Sequence, residues 1–121
     1  MDRPRIAVID DDESVRESLP DLLREFGYHA EVYASAEEFL SADRLLDYVC
    51  LVLDLSMPGM SGVELQSEIA RRKHKVPIVF ITANGDGDLR RRLKEDDVEC
   101  LLKPFTDAIL LEAIQKVLKA G

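Results

Sequence analysis

Leu51-Val52-Leu53-Asp54-Leu55-Ser56-Met57-Pro58-Gly59-Met60-Ser61-Gly62 lies near the middle of the 121-residue sequence and sets its architecture. The apolar run from Tyr48 to Leu53 reads as a strand buried on both faces. It stops at one carboxylate, Asp54, and the loop that follows is punctuated by Pro58, Gly59 and Gly62. In an open parallel α/β sheet, ligands bind beyond the carboxyl ends of the strands, so an acid placed there is a candidate site residue. The plainer reading is an Asp that starts a turn, a role this residue fills in many loops. The neighbouring strand ends decide between the two.

Working outward, the chain alternates strand and helix. Arg5-Ile6-Ala7-Val8-Ile9 is a short apolar run that ends in Asp10-Asp11-Asp12. Ser14-Val15-Arg16-Glu17 has capping-box spacing, and Val15, Leu19, Leu22, Leu23 and Phe26 recur at helical intervals up to Gly27. Pro20 lies too deep for a first-turn proline and predicts a kink. His29–Tyr33 reads as a strand whose weak alternation suits an edge. Ser35-Ala36-Glu37-Glu38 opens a short helix with Phe39 and Leu40. After Asp54, Ser61-Gly62-Val63-Glu64 is a third capping box. Its helix buries Leu65 and Ile69 and ends in Arg71-Arg72-Lys73-His74-Lys75, cations that complement a helix C-terminus better than they suit a nucleic-acid patch. Pro77–Thr82 is a fourth buried strand with Thr82 at its carboxyl end. A weak helix within residues 86–97 carries only Leu89 and Leu93 as an apolar stripe. Val98–Leu102 is a fifth strand leading into Lys103-Pro104-Phe105. Thr106 then caps a last helix with Ile109, Leu110, Ala113, Ile114, Val117 and Leu118 on one face.

Five βα units predict one α/β domain over residues 1–121, a doubly wound, flavodoxin-like parallel sheet in the order 2-1-3-4-5. A 46% hydrophobic, 33% charged composition is that of a globular chain. No apolar stretch has the length of a membrane span and no signal peptide opens the chain, which predicts a cytoplasmic protein with no membrane association. Cys50 and Cys100 lack ligand-like spacing and read as core or near-core residues. A formal charge of −8 argues against direct nucleic-acid binding, which requires a basic footprint.

The predicted strand order brings Asp10, Asp11 and Asp12 beside Asp54, with Thr82 and Lys103 on the strands beyond. Clustered carboxylates repel unless a cation joins them, and a hard divalent ion such as Mg²⁺, with Mn²⁺ as a substitute, relieves the conflict while keeping open positions for phosphate oxygens. Lys103 adds a compact positive charge and Thr82 a hydroxyl donor. Such a site can transfer a phosphoryl group to a carboxylate, and Asp54, central in the sheet, is the best-placed nucleophile.

Over nearly its full length the chain resembles the receiver domain of bacterial two-component response regulators. The matching motifs are the acidic pair with Arg16 beyond it, Asp54 with the loop to Gly62, Ile81-Thr82-Ala83, and Lys103-Pro104-Phe105. The Asp54 loop looks most like receivers that precede LuxR-type DNA-binding domains. The resemblance implies that Asp54 accepts a phosphoryl group from a sensor histidine kinase. It implies Mg²⁺ held by Asp11, Asp54 and the Ser56 backbone carbonyl, with Asp10 acting through water. Lys103 would pair with the phosphoryl group, its bond to Pro104 being cis, and Thr82 would hold a phosphate oxygen. Ser56 and Asn84 take the positions that tune dephosphorylation. The implied partners are the kinase, a transcriptional output domain outside this chain, and a second copy in a phosphorylation-dependent homodimer. The domain is not expected to be a turnover enzyme on an external substrate.

Two positions depart from the family pattern. Cys100 stands where an aromatic residue three positions before the lysine is usual, and Glu95-Asp96-Asp97 replaces the usual small-residue turn. Movement of the weak helix is therefore the expected switch, rather than an aromatic rotation. Three rival readings follow. A dehalogenase-type phosphohydrolase would need a second acid at Ser56. A nucleotide-binding domain would need a Gly-rich turn after the first strand. A phosphorylation-independent interaction module on the same fold is the strongest alternative.

Overall fold

The computed structural model describes residues 3–83, 91–93 and 98–120. Five parallel strands form one sheet in the order β2-β1-β3-β4-β5, as predicted. They are β1 (Arg5–Ile9), β2 (His29–Tyr33), β3 (Cys50–Asp54), β4 (Ile78–Thr82) and β5 (Cys100–Leu102). The helices whose full extent is described are α1 (Glu13–Glu25), α2 (Ala36–Ala42), α3 (Gly62–Arg71) and α4 (Asp107–Ala120), with a 3₁₀ turn at Leu45–Asp47. The predicted edge position of β2 is observed. Every residue of β3 is buried, because helices cover both faces of the sheet centre.

One core layer joins Ile9, Phe39, Leu53, Leu65 and Phe80 beneath α2 and α3, and the other joins Val8, Leu23, Val52, Leu110 and Ile114 beneath α1 and α4. Tyr33, Phe39 and Tyr48 meet at ring separations of 5.2–6.3 Å, which seats α2 against the sheet edge. Their buried polar ends are satisfied: the Tyr33 and Tyr48 hydroxyls are hydrogen-bonded to each other, and Tyr48 donates to Glu31 at 2.7 Å.

Element ends differ from expectation where capping residues compete. The first helix starts at Asp12, not Ser14. The Asp12 side chain accepts from the Ser14 N–H at 2.9 Å and its carbonyl accepts from the Arg16 N–H at 3.2 Å. Asp ranks with Ser as an N-cap, and taking the earlier residue adds helix without losing a cap. The third acid of the Asp10-Asp11-Asp12 run is therefore spent on α1. Helix α1 continues through Pro20 as one element. Ser35 caps α2, the full Ser61–Glu64 capping box opens α3, and Thr106 Oγ1 accepts from the Ile109 N–H at the start of α4. Cys50 is buried and Cys100 half-buried, and neither is in a disulfide. The basic run ending α3 is engaged by Glu68, which pairs with Arg71 at 2.6 Å and Arg72 at 2.8 Å. Strands β3, β4 and β5 begin one or two residues later than the apolar runs suggest. The weak helix expected within residues 86–97 lies outside the described residues except at 91–93, which are helical, with Leu93 buried in the core. Asn84 and residues 95–97 also lie outside them. Among the described residues, no helix is long and apolar enough to cross a membrane.

The end of α3 yields a stability prediction. The Lys73 N–H donates to the Ala70 carbonyl at 2.9 Å and the His74 N–H to Ile69 at 3.3 Å, the two bonds of a Schellman cap. Lys73 adopts φ +60°, the left-handed conformation that glycine takes with least strain. Lys73→Gly is expected to stabilise the domain by about 0.5–1 kcal/mol in urea unfolding, because relief of the left-handed strain outweighs glycine's larger unfolded-state entropy. An unchanged or lower midpoint would show that the lysine's side chain repays its strain.

Candidate functional site

Strand register assembles the site. Ile9 pairs with Leu53, so the next residues, Asp10 and Asp54, leave the sheet side by side. Thr82 pairs with Leu102, which places Lys103 one step beyond Thr82 on the neighbouring strand. Backbone bonds fix these exits: Asp10 N–H to Tyr33 O at 3.1 Å, Leu55 N–H to Ile81 O at 2.9 Å, and Lys103 N–H to Thr82 O at 2.8 Å. Asp10, Asp54 and Thr82 are the buried polar residues among those described, on a sheet otherwise lined by apolar side chains. Buried polar groups without a packing role mark a functional site.

One carboxylate oxygen from each of Asp10, Asp11 and Asp54 lies within 4.8 Å of the others. Asp11 is exposed and faces solvent, whereas Asp10 is sealed off. Lys103 Nζ sits 2.6 Å from Asp10 Oδ2 and 3.8 Å from Asp54 Oδ2, so one ammonium serves two buried acids. Asp10 Oδ1 accepts from the Asp12 N–H at 2.9 Å, whereas Oδ2, buried and ion-paired with Lys103, accepts no hydrogen bond among the described residues. The Asp10 backbone carbonyl accepts from Arg16 at 2.9 Å, so Arg16 braces the turn. The Lys103–Pro104 peptide is cis.

Burial is the main reason the Asp54 carboxyl is pushed up to about 7, with the Asp10 side chain adding to it. The Ser56 N–H, which donates to Asp54 Oδ1 at 3.1 Å, and the Lys103 charge pull the other way. A protonated acid is a poor nucleophile, so the cluster calls for more positive charge than Lys103 provides. Three hard carboxylate donors within one ion's reach, one of them solvent-facing, fit a divalent cation that retains several waters.

Sequence reasoning named Asp10, Asp11, Asp54, Thr82 and Lys103, and the structure brings all five to one end of the sheet. It missed how the Asp54 loop is held. A Cβ built on Gly62 would lie 2.3 Å from the Asp54 carbonyl oxygen, so α3 approaches β3 more closely than any other residue at 62 permits. Glu37 of α2 accepts from the Met60 N–H at 2.9 Å, across 23 residues of sequence. Beside the site, a cleft of about 740 Å³ opens between α1 and residues 103–105, with Val15, Leu19, Leu22 and Phe105 in its wall and Asp12 and Asp21 among its lining residues.

Comparison with known proteins gives one family. The family model of the response regulator receiver domain matches residues 6–115. Nodulation protein W of Bradyrhizobium diazoefficiens is 41% identical over 110 residues, which are 90% of this chain and 48% of that protein. The transcriptional regulatory protein FixJ of Azorhizobium caulinodans is 40% identical over 111 residues, 91% of this chain and 53% of its own. The solved structure of the response regulator StyR superposes with a TM-score of 0.86 at 44% identity, covering 98% of this chain and 61% of that one. The chain thus spans about half the length of the curated relatives it matches.

Proposed function

Because this chain belongs to the response regulator receiver domain family of phosphorylation-based signalling switches, we propose that its switch is Asp54 and that residues 1–121 form the receiver unit. One observation carries the reading: the carboxylates of Asp10, Asp11 and Asp54 converge within 4.8 Å while Lys103 bridges Asp10 and Asp54. A structural role alone gives no reason to gather three acids at strand ends.

Asp54 is the phosphoacceptor. Its carboxylate oxygen forms the new bond to phosphorus as the bond from phosphorus to a histidine nitrogen of the donor kinase breaks, the imidazole leaving with the electron pair. Lys103 is placed to follow the charge as it moves from Asp54 to the transferred group, and Thr82 supplies a hydroxyl on the adjacent strand. Asp11, Asp54 and the Ser56 carbonyl are the residues to hold Mg²⁺ or Mn²⁺. Asp10, buried and ion-paired with Lys103, is suited to act through water. The cation supplies charge neutralisation at the phosphoryl oxygens.

A sensor histidine kinase is the proposed partner, and the cleft between α1 and Phe105 offers it an apolar seat adjoining the site. The output is transcriptional, in a domain outside this chain, as the name of the FixJ relative suggests. Leu102 and Ile109, both exposed, are apolar positions available to a phosphorylation-dependent homodimer. The cytoplasm is the proposed location. Net turnover of an external substrate is not proposed, since a phosphohydrolase of the dehalogenase type would require an acid where Ser56 stands.

Incubation with acetyl phosphate and Mg²⁺ is expected to add one phosphoryl group by mass spectrometry, and Asp54→Asn to add none. An unmodified wild-type domain would favour the phosphorylation-independent interaction module. Steady hydrolysis of a phosphomonoester would favour the hydrolase.

A further inference from the structure

We propose that Glu37, on the first turn of α2, is a positioning residue for the cation-binding loop, holding the backbone that carries Ser56 in register with Asp54. This rests on the reading of Asp54, Asp11 and the Ser56 carbonyl as the phosphorylation and cation site. Pro58-Gly59 has the composition of the two central positions of a type II turn, and Gly59 takes φ +77° as that turn requires at its third residue. Such a turn is ordinarily closed by the N–H of its fourth residue, here Met60. That N–H donates instead to Glu37 Oε2 at 2.9 Å.

The glycine also makes room for the acid. A Cβ on Gly59 would lie 2.5 Å from Glu37 Oε2, so the carboxylate occupies the space that any other residue at 59 would fill. The tether is rigid at its far end, because Ala36, just before Glu37, and Phe39, two residues after it, are buried and Phe39 packs on Tyr33 and Tyr48. The Met60 bond also holds the Glu37 carboxyl below the usual carboxylate range, so it is an anion throughout the neutral range.

The loop is thereby pinned at three points. The Ser56 N–H binds Asp54, Glu37 takes Met60, and Gly62 is packed on the Asp54 backbone. Removing the middle pin leaves residues 57–60 held only at their ends, and with them the backbone that continues from Ser56. Outer-shell contacts of this kind alter metal affinity by factors of about ten or more. Because Glu37 is exposed and water can replace it, a change near the lower end of that range is expected.

The test compares Glu37→Ala, Glu37→Gln and, as a control, Glu38→Ala, whose native side chain makes no hydrogen bond to the loop. Hydrogen exchange at the Met60 amide and Mg²⁺ affinity by NMR titration are the primary readouts. Glu37→Ala is expected to lose Met60 protection and to bind Mg²⁺ roughly tenfold more weakly, with a melting temperature close to that of Glu38→Ala. Glu37→Gln keeps an acceptor oxygen and should recover most of both. With acetyl phosphate, the Mg²⁺ concentration for half-maximal rate should rise while the rate at saturating Mg²⁺ stays near wild type. Wild-type Met60 protection and Mg²⁺ affinity in Glu37→Ala would overturn the assignment. If the wild-type domain is not phosphorylated, the reading of Asp54 fails, and the exchange and titration data still judge Glu37.

Discussion

Gly62→Ala is expected to slow phosphorylation by acetyl phosphate on the order of 10- to 100-fold and to destabilise the domain by about 2 kcal/mol. Helix propensity alone predicts the opposite. Gly62 is the first residue of α3, and alanine in a helix is favoured over glycine by about 1 kcal/mol. The added methyl, however, would stand 2.3 Å from the Asp54 carbonyl oxygen and 3.1 Å from both the Asp54 carbonyl carbon and the Leu55 Cα. All three are backbone atoms of the segment that carries Asp54, the proposed phosphoacceptor, so no side chain can rotate out of the way. Overpacking against a fixed backbone costs about 1–3 kcal/mol or more, enough to reverse the propensity gain. Relief comes only from moving α3 or the end of β3. The Gly62 N–H bond to Leu55 O, 3.1 Å long, couples these two movements. Either one shifts Asp54 relative to Lys103, and misplacement of a reacting group by about 1 Å costs about 10²-fold in rate. Urea unfolding followed by circular dichroism and the rate of phosphate incorporation check the two halves separately. A variant as stable and as reactive as the wild type would show that the contact yields without strain.

Why some of this was legible in the sequence, and some not, follows from the range of the interactions. Asp10, Asp54, Thr82 and Lys103 were readable because each ends an apolar run, and a parallel sheet carries all such ends to one edge. The strand order rested on the same feature, since continuous apolar runs need cover on both faces. The α1 cap was misplaced because two local solutions compete: Ser14 with Glu17 fits capping-box spacing, and Asp12 fits as a simple cap. Only the hydrogen bond from the Ser14 N–H to Asp12 chooses between them. Glu37 was invisible as a loop anchor, because its partner lies 23 residues away and no periodicity links them. Gly62 was visible as a loop glycine, but its steric meaning exists only once β3 and α3 are packed. What sequence pattern conveys is which face or end a residue occupies, and what it omits is which side chain fills a gap left by a distant glycine.

In Mg²⁺-free buffer, stability is expected to fall as pH rises from about 4 to about 7, and Asp54→Asn to remove most of that fall. The Asp54 carboxyl moves from its ordinary 3.8 to about 7 on folding, first through burial and then through Asp10. Between those two values the folded domain holds a proton that the unfolded chain has released, so the stability slope with pH is negative there. The contribution is complete below the unfolded value and is lost as pH passes through the folded one. At about 1.4 kcal/mol per unit, a rise of about three units sets a ceiling near 4 kcal/mol, and relaxation of the site on ionisation brings the expected fall to about 2–3 kcal/mol. Glu31, Glu37 and Glu68 are shifted the other way, so their contributions are lost as pH falls and act below the ordinary glutamate range. These contributions are common to both proteins and cancel in the difference between wild type and Asp54→Asn. On the proposed reading Mg²⁺ would bind the ionised cluster and not the unfolded chain, so it should restore stability above pH 7 in the wild type, in proportion to the logarithm of its concentration over its dissociation constant. Asp54→Asn should be more stable than the wild type without Mg²⁺ and gain less from its addition. Parallel pH profiles for the two proteins in urea unfolding would mean that Asp54 is ionised at no cost, and the case for a cation drawn to relieve that cost would fall with it.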